Sequence, residues 1–296
     1  MLIDMHMHSV FSDGELKPAE LAKKLSELNV GMACLTDHDT FGGTEDFIAA
    51  AAEYKLKTIP SVEIDCIIPE IGYDSEILCY FPEGSFQHTK NLVAIYRERR
   101  KKAAEAVIEL GRAVNPQLSL NILYDLKLGC GEDNEAQREQ LCSSIRITKP
   151  DLFKLFQHVG IVDKTMTYKK FKKTYIEPIY KKAPEPIKPH ISEVAEAVRK
   201  DDGKLVIPHF GHEFEDSADQ FVKKTYEAKN MLDYFSRLGV WGLEWYAYRN
   251  HEQQELNELI FKLSEPFGFT RTFGSDFHGA ASKKPSIIPF EGECQI

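Results

Sequence analysis

The apolar positions of this chain fall into two textures. A short apolar start at residues 2–5 is followed by a stretch in which Leu21, Leu25 and Leu28 recur on one helical face. Pro18 opens that helix, and Gly31 lies beyond its end. MACLT (32–36) has the pattern of a buried strand, a helix is expected over about 45–54, and TIPSV (58–62) and ILCYF (77–81) are expected as further strands. Strand–helix alternation of this kind favours an α/β domain with a largely parallel sheet.

After about Gln87 the pattern changes. YRERRKKAAEAVIEL, GEDNEAQREQ and YKKFKKTYIEPIYKK are charged, helical in period and free of any convincing strand. Alternation resumes after the Pro-rich APEPIKPH (183–190), with a helix over about 192–200 and strands at KLVIP (204–208), VWGLEWY (240–246) and RTFGS (271–275). The organisation expected is an α/β domain made of residues 1–88 and 187–296, interrupted by a helical insertion over 89–186. No internal repeat or low-complexity tract is visible.

Composition agrees with that picture. With 296 residues, 43% of them apolar, the chain can build one sizeable core plus an insertion. The net charge of −9 serves solubility and would repel a long nucleic-acid duplex. MLIDMHMH is no secretory leader, and no run of about 18 apolar residues would span a membrane. Cys34, Cys66, Cys79, Cys130, Cys142 and Cys294 are scattered without a C-x-x-C pair, as in reduced thiols; a cytoplasmic location is the expectation.

Candidate chemistry then gathers at strand ends. His6-Met7-His8 would be weak alone, since about 0.3 such pairs arise by chance at this histidine content. In a strand, however, i and i+2 side chains share a face, so both imidazoles can reach one ion. Ser12-Asp13-Gly14 alone is a turn with a capping residue. Thr36-Asp37-His38-Asp39 follows a strand, Glu63 ends TIPSVE, His209 ends LVIPH, Glu244 lies in VWGLEWY, and Asp276 and His278 follow RTFGS. Functional groups of alternating α/β folds collect beyond the carboxyl ends of strands, and one shared polynuclear metal site explains all of these better than separate structural roles. Mixed imidazole and carboxylate donors suit Mn²⁺, Fe²⁺ or Zn²⁺ better than Ca²⁺.

The ordered set DMHMHSVFSDG, LTDHDT, SVEI, IPHFG, WGLE and GSDFHG resembles the PHP (polymerase and histidinol phosphatase) superfamily, and the insertion resembles its small nucleotide phosphoesterases, including nucleoside bisphosphate phosphatases. The resemblance implies a distorted seven-stranded (β/α) barrel, the PHP fold, with an inserted helical cap and two or three divalent metals. By motif position His6, His8, Glu63 and Asp276 would hold the first metal. Glu63 would bridge to a second, completed by His209 and by Glu76, which stands where many relatives have His. Asp13, His38 and His278 would hold the third. Pro208-His209-Phe210 replaces the usual A-H-P. Arg99, Lys149 (in Thr148-Lys149-Pro150) and His251 are the implied substrate-gripping residues, whereas Arg97, Arg100, Lys101 and Lys102 are expected to be a solvated helix face.

The chemistry implied is hydrolysis of a phosphate monoester of a small nucleotide, a nucleoside monophosphate or 3′,5′-bisphosphate, by a metal-bridging hydroxide, with His251 or Arg99 steadying the phosphate. No motif announces a covalent intermediate, and no G-x-x-x-x-G-K-[ST] loop is present. The rival readings are a histidinol-phosphate phosphatase, an exonuclease on short oligonucleotides and a non-catalytic metal-stabilised module.

Overall fold

The computed structural model describes residues 1–129, 135–182, 187–293 and 296, with the backbone alone at 135–138 and 140. The first half alternates β1 (Leu2–Asp4), α1 (Pro18–Glu27), β2 (Val30–Ala33), α2 (Thr44–Glu53), β3 (Ser61–Ile68) and β4 (Tyr73–Tyr80). Pro18 occupies the first turn of α1, and the Glu20 carboxylate accepts from the Lys17 N–H at 2.9 Å. The helix stops short of Gly31, through Asn29 at φ 56°, and Leu28 is exposed beyond the buried Leu21 and Leu25.

A helical segment follows: α3 (Gln87–Arg112), α4 (Leu120–Leu128), α5 (Glu135–Ser144), α6 (Lys149–His158), and α7 (Tyr168–Phe171), which runs through a π-helical stretch (Lys172–Ile176) into α8 (Glu177–Tyr180). Alternation resumes with α9 (Ile191–Lys200), β5 (Lys204–Ile207), α10 (Ala218–Lys223), α11 (Thr225–Leu238), β6 (Gly242–Tyr246), α12 (Gln253–Ser264), β7 (Thr270–Gly274) and β8 (Phe290–Glu291). The Pro-rich residues 183–186, Cys130 and Cys294 lie outside the described residues; Cys34, Cys66, Cys79 and Cys142 are thiols without disulfides. Among the described residues no helix is long and apolar enough to cross a membrane.

The strands form a mixed α/β fold with two ladders, β2-β1-β8 and β3-β4-β5-β6-β7. Isolated parallel bridges Met32–Lys57 and His38–Glu63 join the β2 and β3 regions, and Met7–Phe277 joins the β1 and β7 regions. The expectation of a largely parallel sheet is corrected at β4, which runs antiparallel to both neighbours. Only Pro69–Ile71 and Gly72, at φ 68°, separate β3 from β4. That is room for a hairpin and not for a crossover helix.

β3 is longer than its apolar pattern indicates because one face buries carboxylates. Val62, Ile64, Cys66 and Ile68 point into the main core, with Ile77 and Cys79 of β4, Leu205 and Ile207 of β5, and Ile191, Val194 and Val198 of α9. The period of two then sends Ser61, Glu63 and Asp65, also buried, to the opposite face.

The helical segment has a second core, built on Val107, Ile108, Leu152, Phe156 and Phe171. Val10 and Phe11 of the loop after β1 are inserted into it. The Phe11 carbonyl accepts from the Arg146 N–H at 2.9 Å, and Lys127 reaches the Ser12 carbonyl.

Candidate metal centre

His6 and His8 follow β1 on either side of the Met7 bridge and are both fully buried. Three carboxylates surround the His6 ring: Nδ1 meets Glu244 Oε1 at 2.9 Å, while Nε2 faces Glu63 Oε2 at 3.2 Å and Asp276 Oδ1 at 3.4 Å. Glu244 also accepts from the His209 N–H at 2.9 Å, so one carboxylate from β6 fixes two neighbouring imidazole-bearing segments. Gly274 makes this possible, because a Cβ there would collide with the Glu244 carboxylate and His6.

The other groups converge on the same space. His8 Nε2 lies 3.3 Å from Glu63 Oε2 and 3.2 Å from Asp276 Oδ1. His38 Nδ1 is 3.2 Å from Glu63 Oε2, and His209 Nε2 is 3.1 Å from Glu63 Oε1. His278 Nε2 stands 3.2 Å from Asp13 Oδ1, with His38 Nε2 at 3.8 Å from the same oxygen. Glu76 is more peripheral, with Oε2 at 3.7 Å from His209 Nε2. Three of the groupings close enough to share an ion are His8, Asp13, His38 and His278; His6, Glu63 and His209; and His6, His8 and Asp276.

Burial dominates the protonation of these groups. It drives His8 down to about 4 and His38 to about 3 even beside carboxylates, so both rings are neutral, which is the ligating form. His209 lies well below its ordinary value for the same reason, with His212 adding to the shift. Burial opposes charge on Asp13 too, yet His278 and His38 hold its carboxyl well below the usual range. At His6, the fields of Glu63 and Glu244 overcome burial and raise it to about 10. Burial, then Asp65 and Glu63, pushes Glu76 up to about 8.

Whether these residues suit metal ions is tested by their unused atoms. His6 Nε2, His8 Nε2, His38 Nδ1, Glu63 Oε2, Asp13 Oδ1 and Asp276 Oδ1 are buried and make no hydrogen bond among the described residues. Buried polar atoms are ordinarily satisfied, and six such atoms converging on one space form a donor set suited to cations. The residues fit divalent metals.

The PHP domain family matches residues 4–265. The chain belongs to the PHP domain family. It is similar over 61 residues, at 41% identity, to a 5′-3′ exoribonuclease of Haemophilus influenzae, and over 62 residues, at 39%, to a 3′,5′-nucleoside bisphosphate phosphatase of Chromobacterium violaceum. Each stretch covers 21% of this chain and 22% of the relative. In fold it is similar to a candidate metal-dependent phosphoesterase from Bifidobacterium adolescentis, with a TM-score of 0.68 and 21% identity over 96% of this chain and 90% of that one.

The cationic groups around this PHP centre differ from expectation. Arg100 was expected on a solvated face but is buried, because the inward stripe of α3 runs Val93, Tyr96, Arg100, Ala104 and Val107. Its Nε lies 3.2 Å from Asp39 Oδ2 and its Nη2 2.9 Å from Asp65 Oδ2. Arg146, between the buried Ile145 and Ile147, meets the same two carboxylates at 2.9 and 2.6 Å. Arg97 is half-buried as well, and burial lowers its pKa against the pull of Asp39. Arg99 instead stacks its guanidinium over Tyr96 at 4.8 Å. Lys149 begins α6 beside the Thr148–Asp151 capping box, with its ammonium over the Tyr180 ring at 5.5 Å; burial, Lys188 and the two arginines lower its pKa against the pull of Asp65. His251 is not brought to the cluster: it sits in the turn before α12 with its side chain 91% exposed.

Four participants escaped sequence reading. Asp39 stands in Thr36-Asp37-His38-Asp39 with no role of its own assigned, and Asp65 lies beyond the strand expected at 58–62. Lys284, in a loop without regular structure, places its ammonium on Asp276 Oδ2. His212, three residues after His209, stacks on that ring at 4.4 Å between centroids.

Proposed function

We propose that this PHP protein is a metal-dependent phosphoesterase that hydrolyses a phosphate monoester of a small nucleotide, a nucleoside monophosphate or 3′,5′-bisphosphate. The observation that carries the reading is the convergence of six buried, unsatisfied imidazole and carboxylate atoms on one space. The two ladders joined by parallel bridges are read as the distorted seven-stranded barrel. Residues 1–88 and 187–296 would form it, and 89–186 would be a helical cap over its ligand-bearing end.

His6, His8, Glu63 and Asp276 would hold one divalent ion; Glu63, Glu76 and His209 a second; Asp13, His38 and His278 a third. Bound ions of the Mn²⁺, Fe²⁺ or Zn²⁺ type would acidify a water towards pKa about 7 and neutralise phosphoryl charge. The chain does the rest. Glu244 holds the His6 ring with Nε2 inward, and Tyr246 donates to Asp276 Oδ2 at 3.1 Å. Arg100 and Arg146 are already committed to Asp39 and Asp65, so they lock the helical segment against the centre. Lys149, whose ammonium lies over the Tyr180 ring at 5.5 Å and has no such carboxylate clamp among the described residues, is the cation proposed to meet the substrate phosphate.

The similarity to an exoribonuclease supports a second reading, hydrolysis at the end of a short oligonucleotide, which is phosphoester chemistry on a longer substrate. Phosphate release from nucleoside bisphosphates, monophosphates and histidinol phosphate, and mononucleotide release from 5′-phosphorylated oligonucleotides, each with added Mn²⁺, separates the two. Release from the bisphosphates is expected to be fastest. Metal-loaded protein that is inert on every substrate would overturn the enzymatic reading in favour of a metal-stabilised module.

A further inference from the structure

Beyond the residues that motif and fold assign to the centre, one side chain is built into it by its own local structure. His212 lies in the 3₁₀ turn Phe210–Phe214 that follows β5. The turn brings its ring against His209, with Tyr246 packed edge-on at 5.1 Å and Tyr248 at 6.3 Å. One ligand atom of His212 falls within 4.8 Å of ligand atoms of both His209 and Asp276. Three donors on one spot are enough for an ion site with open positions.

The orientation of the ring is the second observation. His212 Nδ1 meets Asp216 Oδ1 at 2.5 Å, so Nε2 is the atom left for a ligand. Asp216 reaches that position through two successive side-chain-bearing residues in left-handed backbone, Glu215 at φ 58° and Asp216 at φ 54°. Such residues rarely adopt this conformation and persist there only when the surroundings hold them. Here the Asp216 N–H donates to the Gly211 carbonyl at 2.9 Å, and Asn250 donates to the Asp216 carbonyl at 2.9 Å. Gly211 in turn lies so close to Tyr248 that a Cβ would fall 2.6 Å from the hydroxyl, which accepts from the Gly211 N–H at 2.8 Å. A carboxylate on the far nitrogen of a histidine is the standard way of fixing the tautomer and aim of a metal-ligating ring.

We propose that His212 is a further ligand of the ion that His209 holds, beside Asp276, and is aimed by Asp216 as its positioning residue. The proposal rests on the metal-dependent reading given above. It changes the donor set of that ion from one imidazole with Glu63 and Glu76 to two imidazoles with carboxylates. Imidazole-rich sets favour Zn²⁺ or Fe²⁺ over Mn²⁺ and Mg²⁺.

Chelator-stripped full-length chain, titrated calorimetrically with Mn²⁺ and Zn²⁺ and spectroscopically with Co²⁺, tests this without reference to turnover. Wild type is expected to take up at least two ions. His212→Ala should lose one equivalent or weaken it at least about tenfold, more for Zn²⁺ than for Mn²⁺, and should change the Co²⁺ absorption of that equivalent alone. Asp216→Asn should weaken the same equivalent by about 10- to 100-fold. Unchanged stoichiometry, affinity and Co²⁺ spectrum in His212→Ala would overturn the proposal while leaving the metal-dependent reading intact. Wild type that binds no ion would overturn both. If metal-free His212→Ala melts well below metal-free wild type, Asp216→Asn, which keeps the ring, decides: unaltered affinity there overturns the assignment.

Discussion

Two regions of this molecule bury charge, and they balance it differently. At the junction between the helical segment and the strands, Arg100 and Arg146 face Asp39 and Asp65 at 2.6–3.2 Å, two cations against two anions. At the strand ends, Asp13, Glu63, Asp276 and Glu244 crowd imidazoles of which burial holds His8, His38 and His209 neutral, so that His6 and the Lys284 ammonium are the cations that face them among the described residues. A balanced buried cluster positions structure. An unbalanced one keeps a place for charge brought from outside, since isolated buried carboxylates are too costly to retain for packing alone. The same contrast separates residues expected to hold the fold from residues expected to carry chemistry.

The contrast can be broken most forcefully at the ions. Removing them with chelator, or Asp276→Ala, should lower kcat/KM by about a thousandfold or more, because a bound ion supplies several kcal/mol of charge stabilisation. Stripped protein that turns over substrate at the original rate would mean that the unbalanced cluster is not a metal centre. The junction comes next. Arg146→Ala leaves Asp39 and Asp65 buried with one partner fewer, and should cost about 3–5 kcal/mol of unfolding free energy in a denaturant titration of the stripped protein. A loss below about 1 kcal/mol would show that water reaches the junction. The smallest effect sharpens the line between the two arginine faces of α3 and Lys149, whose ammonium lies over the Tyr180 ring at 5.5 Å. Lys149→Ala should lower kcat/KM about 10- to 150-fold with metal content unchanged, as for loss of a partly desolvated phosphate contact. Arg99→Ala, on the Tyr96 side of the helix, should change it no more than about twofold. Equal losses in the two variants would put the substrate across both faces.

How much of this was legible in the sequence follows the same division. His6 and His8, Glu63, His209 and Asp276 could be placed because strand period and strand ends dictate where side chains go, and the motifs around them are local. The reversal of β4 was hidden because Glu63 and Asp65 interrupt the apolar run of β3, so the strand appeared to end where its buried polar face begins. Arg100 sat on the inward stripe of α3, but in a run of RERRKK its charge argued for solvent; only the docking of two distant carboxylates makes burial tolerable. Arg146, flanked by Ile145 and Ile147, carried the one local signal that was overlooked, an ionic side chain inside an apolar run. His212 and Lys284 depend on a turn and a loop whose paths no periodicity foretells.

The loop after β1 has a consequence for how the molecule responds to its ions. Val10 and Phe11 plug the core of the helical segment, and Asp13, two residues further on, faces His278 and His38. With Asp13 as a ligand of the proposed third ion, docking of the segment and capture of that ion would draw on the same few residues of chain. Thermodynamic reciprocity then applies: whatever factor the docked segment adds to ion affinity, the ion returns to docking. Hydrogen exchange in α3, α4 and α6 becomes a gauge of ion occupancy some distance away, slowing as the centre fills and quickening as it empties.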